Sequence, residues 1–201
     1  ETWSKIGKLF NEPFLNGRGL DARPGHMGGG AMEINTVPRF DAKDAQGTTY
    51  TKLPKIQFPV DAEGRAFLFV ANYYRSPESG YINFVDPVSK DERKMPYSMP
   101  LTLAGLTGLI IPVNFPIHGS AARIIFSTSQ ILSAFEKGGS IFVELHGHPK
   151  SDGELTVAIK KKPKHVFSDG RKLEFSYRSG EAVIPFKHSD EGPVLIKINL
   201  R

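Results

Sequence analysis

The sequence predicts an all-β protein: an antiparallel β-sandwich of jelly-roll or matrix-like type, with one short internal helix and an N-terminal helical arm. Three observations lead there. Apolar residues alternate in period two over short segments, as in Leu155, Val157 and Ile159 or in Val194, Ile196, Ile198 and Leu200. Turn dipeptides such as Asp169-Gly170 and Ser179-Gly180 recur between those segments. With 20 glycines and 15 prolines in 201 residues, long uninterrupted elements are disfavoured.

The chain divides into an N-terminal amphipathic arm with a Gly-rich linker, residues 1–31, and a β-sandwich domain, residues 32–201. In the arm, Trp3, Ile6 and Phe10 sit at helical spacing with Leu9 beside them, and Pro13 stops the run. A helix this short does not persist alone in water, so these four residues are expected to dock on a partner surface. Six glycines between Gly17 and Gly30 then make a flexible connector. An alternative organisation is a fused peptide, residues 1 to about 24, joined through that linker to a domain starting at Met32.

Strands follow in series. Ile56, Phe58 and Val60 alternate, and residues 66–71 form a continuous apolar run, as a strand buried on both faces does. Further strands are read at 81–85, 101–104, 109–115 and 121–126, with Pro112 and Pro116 pushing the third of these towards an edge or a bulge. Ser127 through Gln130 spells a capping box, Ile131, Leu132 and Phe135 give one apolar face, and Gly138-Gly139 end it, which predicts the internal helix. The last third predicts strands at 141–146, 154–160, 172–177, 181–187 and 194–200, separated by turns at Asp152-Gly153, Asp169-Gly170, Ser179-Gly180 and Glu191-Gly192.

Composition narrows the function. There are no cysteines, which excludes disulfides, thiolate metal sites and cysteine nucleophiles. No apolar run is long enough to span a bilayer, so no transmembrane segment is expected. The net charge is +5, and residues 150–172 carry seven basic side chains against three acidic ones. Lys160, Lys161, Lys162, Lys164, Arg171 and Lys172 are therefore the candidate anion-binding residues, for anionic lipid or nucleic acid. Were 154–160 and 172–177 one hairpin, these charges would converge on one rim. The alternative is a solvated edge that resists aggregation.

Catalytic signatures are sparse. No nucleophile elbow, phosphate-binding loop or zinc-protease helix occurs. Carboxylate pairs such as Asp91-Glu92 and Asp190-Glu191 lie in polar turns, and Tyr73, Tyr74 and Tyr81 read as strand packing or as stacking platforms for bases. The sharpest cluster is Glu144, His146 and His148, which share one face of a strand and so present a carboxylate and two imidazoles together.

Two resemblances bear on function. His146-Gly147-His148 with Glu154, resuming at Gly180 to Pro185 and His188, resembles the metal-binding pattern of the cupin family. That resemblance implies an enzyme holding zinc, iron or manganese on His146, His148, Glu154 and His188. Phe67-Leu68-Phe69-Val70, then Ile110 through Pro116, then Ala122 through Phe126 and a following helix resemble the N-terminal β-sandwich of filovirus and paramyxovirus matrix proteins. This second resemblance implies a non-catalytic, cofactor-free assembly protein that contacts a protein partner or self-associates. With the lack of cysteine and of a signal peptide it favours an intracellular or virion setting. A carbohydrate-binding β-sandwich is a third reading.

Overall fold

The computed structural model describes residues 39–43, 49–52, 55–57, 63–72, 75–190 and 192–200. Trp3, Ile6, Leu9 and Phe10, and with them the arm, lie outside the described residues. The described chain is all β with antiparallel sheets, and no helix in it is long and apolar enough to cross a membrane. It divides into two compact units. The first ends with residues 63–95 and 100–108, and the second comprises Pro96–Met99 and Leu109–Arg201.

In the first unit, β1 (Arg39–Lys43) pairs with β2 (Thr49–Lys52) and with β5 (Glu78–Val85), while β3 (Lys55–Gln57) pairs with β4 (Ala66–Ala71). The apolar run 66–71 becomes β4 with Ala66, Phe67, Leu68 and Val70 buried. β6 (Glu92–Met95) pairs with residues 82–85 of β5, and β7 (Leu101–Leu103) pairs with residues 78–80 of the same strand. Asn72 fixes the loop after β4, its side-chain amide donating to the carbonyls of Ser76, Leu103 and Ala104.

The β5–β6 turn is built on Asp86, which is fully buried. One carboxylate oxygen accepts the backbone N–H groups of Val88 (2.8 Å) and Ser89 (3.2 Å), and the other meets Arg93 Nε at 2.7 Å. An aspartate that folds back on the next N–H groups makes a turn by itself, and the guanidinium compensates its burial.

The second unit holds two sheets. One runs β15 (Ser176–Arg178), β16 (Glu181–Lys187), β12 (Asp152–Ala158), β9 (Arg123–Ser127), β8 (Gly108–Pro116). The other runs β10 (Gln130–Lys137), β11 (Ser140–His146), β17 (Val194–Asn199), β13 (His165–Ser168), β14 (Arg171–Leu173). The alternating residues do as the sequence requires. Ile141, Val143 and Leu145 from β11, Ala182, Ile184 and Phe186 from β16, and Val194, Ile196 and Ile198 from β17 join one core drawn from both sheets. Leu155, Val157 and Ile159 enter it from the neighbourhood of β12.

The internal helix expected over 127–135 is absent. In its place β10 is a strand paired with β11. Each helical signal has a β reading. Ser127 Oγ does accept an N–H two residues on, from Ser129 at 3.1 Å, but the chain turns there and extends. The register shifts between Ile131 and Ser133, so a bulge at Leu132 puts Ile131 and Ala134 on the same core-facing side although they are three apart. Gly138-Gly139, both at positive φ (61° and 74°), form a two-residue hairpin loop and not a helix end. Asp169-Gly170 and Ser179-Gly180 make the same kind of hairpin, as expected.

Asp152-Gly153 is no turn; it begins β12. The strand expected over 172–177 is two short strands in different sheets, β14 and β15. β12 pairs with β9 and β16, so 154–160 and 172–177 are not one hairpin.

Replacing Asp86 with alanine takes from the partly buried Arg93 side chain the carboxylate 2.7 Å away and frees two turn N–H groups. Urea unfolding is expected to show a loss of about 3 kcal/mol; a loss below about 1 kcal/mol would mean the turn does not depend on this carboxylate.

Candidate functional site

β12 and the segment after β16 meet the chain at Ser127–Thr128–Ser129, three buried hydroxyl residues of which Ser127 ends β9 and the other two lead into β10. Thr128 crosslinks to β12 in both directions: its N–H donates to Glu154 O (3.0 Å), and its Oγ1 accepts from Glu154 N (2.8 Å). The Glu154 side chain is fully buried on the face of β12 opposite Leu155. Its two oxygens are taken by Tyr97 N–H (2.7 Å), Ser98 N–H (2.8 Å) and the Ser98 hydroxyl. Tyr97 is held above this point by its ring contact with Phe126, centroids 5.4 Å apart.

His188 follows β16 and is buried, its N–H tied to Ser151 O at 2.9 Å. Its Nε2 lies 2.8 Å from Ser129 Oγ. Its ring stands edge-on to Phe186, and Gly147 abuts its other side so closely that a Cβ at 147 would fall 2.3 Å from Nε2. Only glycine fits there. Nδ1 is buried with no hydrogen-bond partner among the described residues. Burial pushes the His188 pKa below its ordinary value, and nearby His146 adds repulsion.

Of the four proposed ligands, two are thus spent on structure. Glu154 has its oxygens filled by backbone and hydroxyl donors, and His188 faces a serine. His146 is the exposed last residue of β11, on the same outward side as Glu144, as the period of two requires. His148 lies past the end of that strand, exposed, with Nδ1 3.0 Å from Pro149 O. Among the described residues no group of three or more His, Asp or Glu side chains is placed to hold a metal. The Ser129–His188 pair has no acid on Nδ1 among the described residues and is closed to solvent, whereas a nucleophile–base relay has its imidazole oriented by an acid and its serine open to substrate.

The basic residues are all exposed. Lys160, Lys161, Lys162 and Lys164 lie in the connection by which the chain passes from one sheet to the other, and Lys164 N–H donates to Asn199 O at the end of β17. Arg171 and Lys172 are on β14, with Arg171 opposite Ser168. Arg171 therefore lies about 13 Å along β13 from Lys164, and the charges spread along one sheet instead of meeting on a hairpin rim.

Sequence reasoning missed the outward face of that sheet. Cross-strand partners place Phe135, Phe142, Lys197, Phe167 and Lys172 in a single row across all five strands. Phe135 and Phe142 stack at 5.3 Å and 18°, and Lys197 Nζ lies 5.7 Å from the Phe142 ring centre. The signal was hidden because the row exists only through pairing register between distant segments.

No family model matches the sequence, and no curated protein matches it.

The pKa of His188 gives a pH dependence. Its folded-state value lies below the 6.5 of an unfolded histidine, so the unfolded chain binds the proton more readily. The neutral ring's contribution is complete above pH 6.5 and is lost as pH falls through the lower folded value. Urea unfolding at pH 7.5 and at pH 5.5 is expected to show lower stability at pH 5.5, and His188→Gln is expected to reduce that difference. An unchanged pH dependence in the variant would place the acid sensitivity elsewhere.

Proposed function

We propose that this chain is a non-catalytic assembly or binding protein, a β-sandwich of jelly-roll or matrix-like type that works through surface contacts with a protein partner or with copies of itself, and with anionic surfaces. What supports this reading most is the placement of the chemically able side chains: Glu154 and His188 are both buried, Glu154 with donors on both oxygens and His188 with Nε2 against Ser129. A catalytic carboxylate or imidazole needs to reach a substrate, and these two are closed to solvent. The surface offers exposed cations and the apolar side chains Leu132, Phe135 and Leu195.

The sandwich reading rests on the shared core of the second unit's two sheets, and on alternating strands that leave one face of each sheet outside it. The resemblance to viral matrix proteins agrees with a basic, cysteine-free β protein of this kind.

The competing reading is a cupin-like metal enzyme. Sedimentation velocity across a concentration series, with elemental analysis of the same purified chain, separates the two. Self-association with well under one metal per chain is the expected result. A monomer at every concentration that carries about one zinc, iron or manganese, lost on His146→Ala, would overturn the proposal.

A further inference from the structure

Three rows of side chains cross the outward face of the β10–β11–β17–β13–β14 sheet, and their chemistry grades from one end to the other. The first row contains Ser133, Glu144 and Leu195, and it ends at Asp169, whose Oδ1 accepts the Leu195 N–H. The middle row is the aromatic and cationic one, Phe135–Phe142–Lys197–Phe167–Lys172. The third contains Lys137, Ser140, Asn199 and His165. The carboxylates thus fall in the first row, and the lysines fall in the other two. Beyond the third row, the exposed Lys160–Lys164 connection runs directly into His165. The sheet therefore carries a positive half with three phenylalanines in its middle.

The β10 edge of this sheet does not invite another strand. His118 bridges to Phe135 on β10, donating its N–H to Ala134 O (3.1 Å) and accepting from Glu136 N–H (2.9 Å). With the bulge at Leu132, that interrupts the ladder an incoming strand would need. The β10 end of the sheet thus offers its face more readily than its edge.

We propose that the positive half of this face binds single-stranded nucleic acid. The inference rests on the reading of the chain as a binding protein and names a ligand for it. Five strands at ordinary spacing make the middle row about 19 Å long. Aromatic rings on such a platform stack on bases, and lysines between and beyond them neutralise phosphates, the combination that favours an unpaired strand over a duplex. Phe135, at the end of the row and 37% exposed, offers a ring to a base, since only one of its faces is used by Phe142. Lys197, Lys172 and Lys137 supply the complementary charge.

The test is fluorescence anisotropy of the full chain with a labelled oligo-dT of about 12 nucleotides and with a duplex of the same length, over a salt series. Single strand is expected to bind more tightly than duplex at low salt. Phe135→Leu with Phe142→Leu should weaken it roughly tenfold with an unchanged salt slope. Lys172→Gln with Lys197→Gln should reduce the magnitude of the slope by about 1.4. Circular dichroism melting controls for folding, and Phe135→Leu alone, at an exposed position, serves if the double variant unfolds. Absence of binding at low salt overturns the proposal, as does equal affinity for duplex and single strand that ignores the phenylalanine changes. If the phenylalanine variants instead alter self-association while no oligonucleotide binds, the face is a protein interface; the nucleic-acid proposal then fails and the assembly reading stands.

Discussion

A carboxylate without solvent contact organises the second unit. A fully buried carboxyl group such as that of Glu154 is costly without donors, because nothing in an apolar interior replaces its hydration. Three donors from residues 97 and 98 replace it, and the backbone of Glu154 holds Thr128 in turn. The consequence reaches beyond one residue. The bend at 127–129 is where the chain leaves β9 in one sheet and enters β10 in the other. Ser129, at the end of that bend, fixes His188, which closes the far end of β16. A strand buried on both faces, a change of sheet and a buried imidazole therefore depend on one set of hydrogen bonds.

That set also explains why the sequence suggests a metal site. Histidines and a glutamate near strand ends are what a metal centre needs, and they are equally what a polar knot needs when two sheets exchange a chain. The difference lies in what occupies the lone pairs. Here the backbone N–H groups of Tyr97 and Ser98 and the Ser98 hydroxyl meet the Glu154 oxygens, and Ser129 meets His188 Nε2, all from segments with no recognisable motif.

The legible part of the fold was the part governed by local alternation. β4 and β16 match their expected bounds, and β11 and β17 match within a residue, because each alternates or runs apolar between turn residues. The segment 127–139 misleads for a definite reason. The bulge at Leu132 interrupts the period of two, so Ile131, Leu132 and Phe135 fall at helical spacing although Ile131 packs on the core while Leu132 and Phe135 are exposed, and a serine that starts an ST turn looks like an N-cap. β6 and β13 were not visible because residues such as Glu92-Arg93-Lys94 and His165 hold their place through pairing and not through an apolar pattern. Of the candidate sites, the exposure of the lysines was legible, whereas the aromatic row was not: its members lie on five strands spread from residue 135 to residue 197.

The most direct check of this view is amide hydrogen exchange at Tyr97 and Ser98. Both sit in a short irregular segment between prolines, where a free turn would exchange within seconds to minutes. If their N–H groups are held by the Glu154 carboxylate, they should be protected to about the same degree as the amides of β12, because opening them requires exposing that carboxylate. Exchange at the rate of an unstructured turn, with β12 still protected, would contradict the claim that this carboxylate is the point on which the second unit is built.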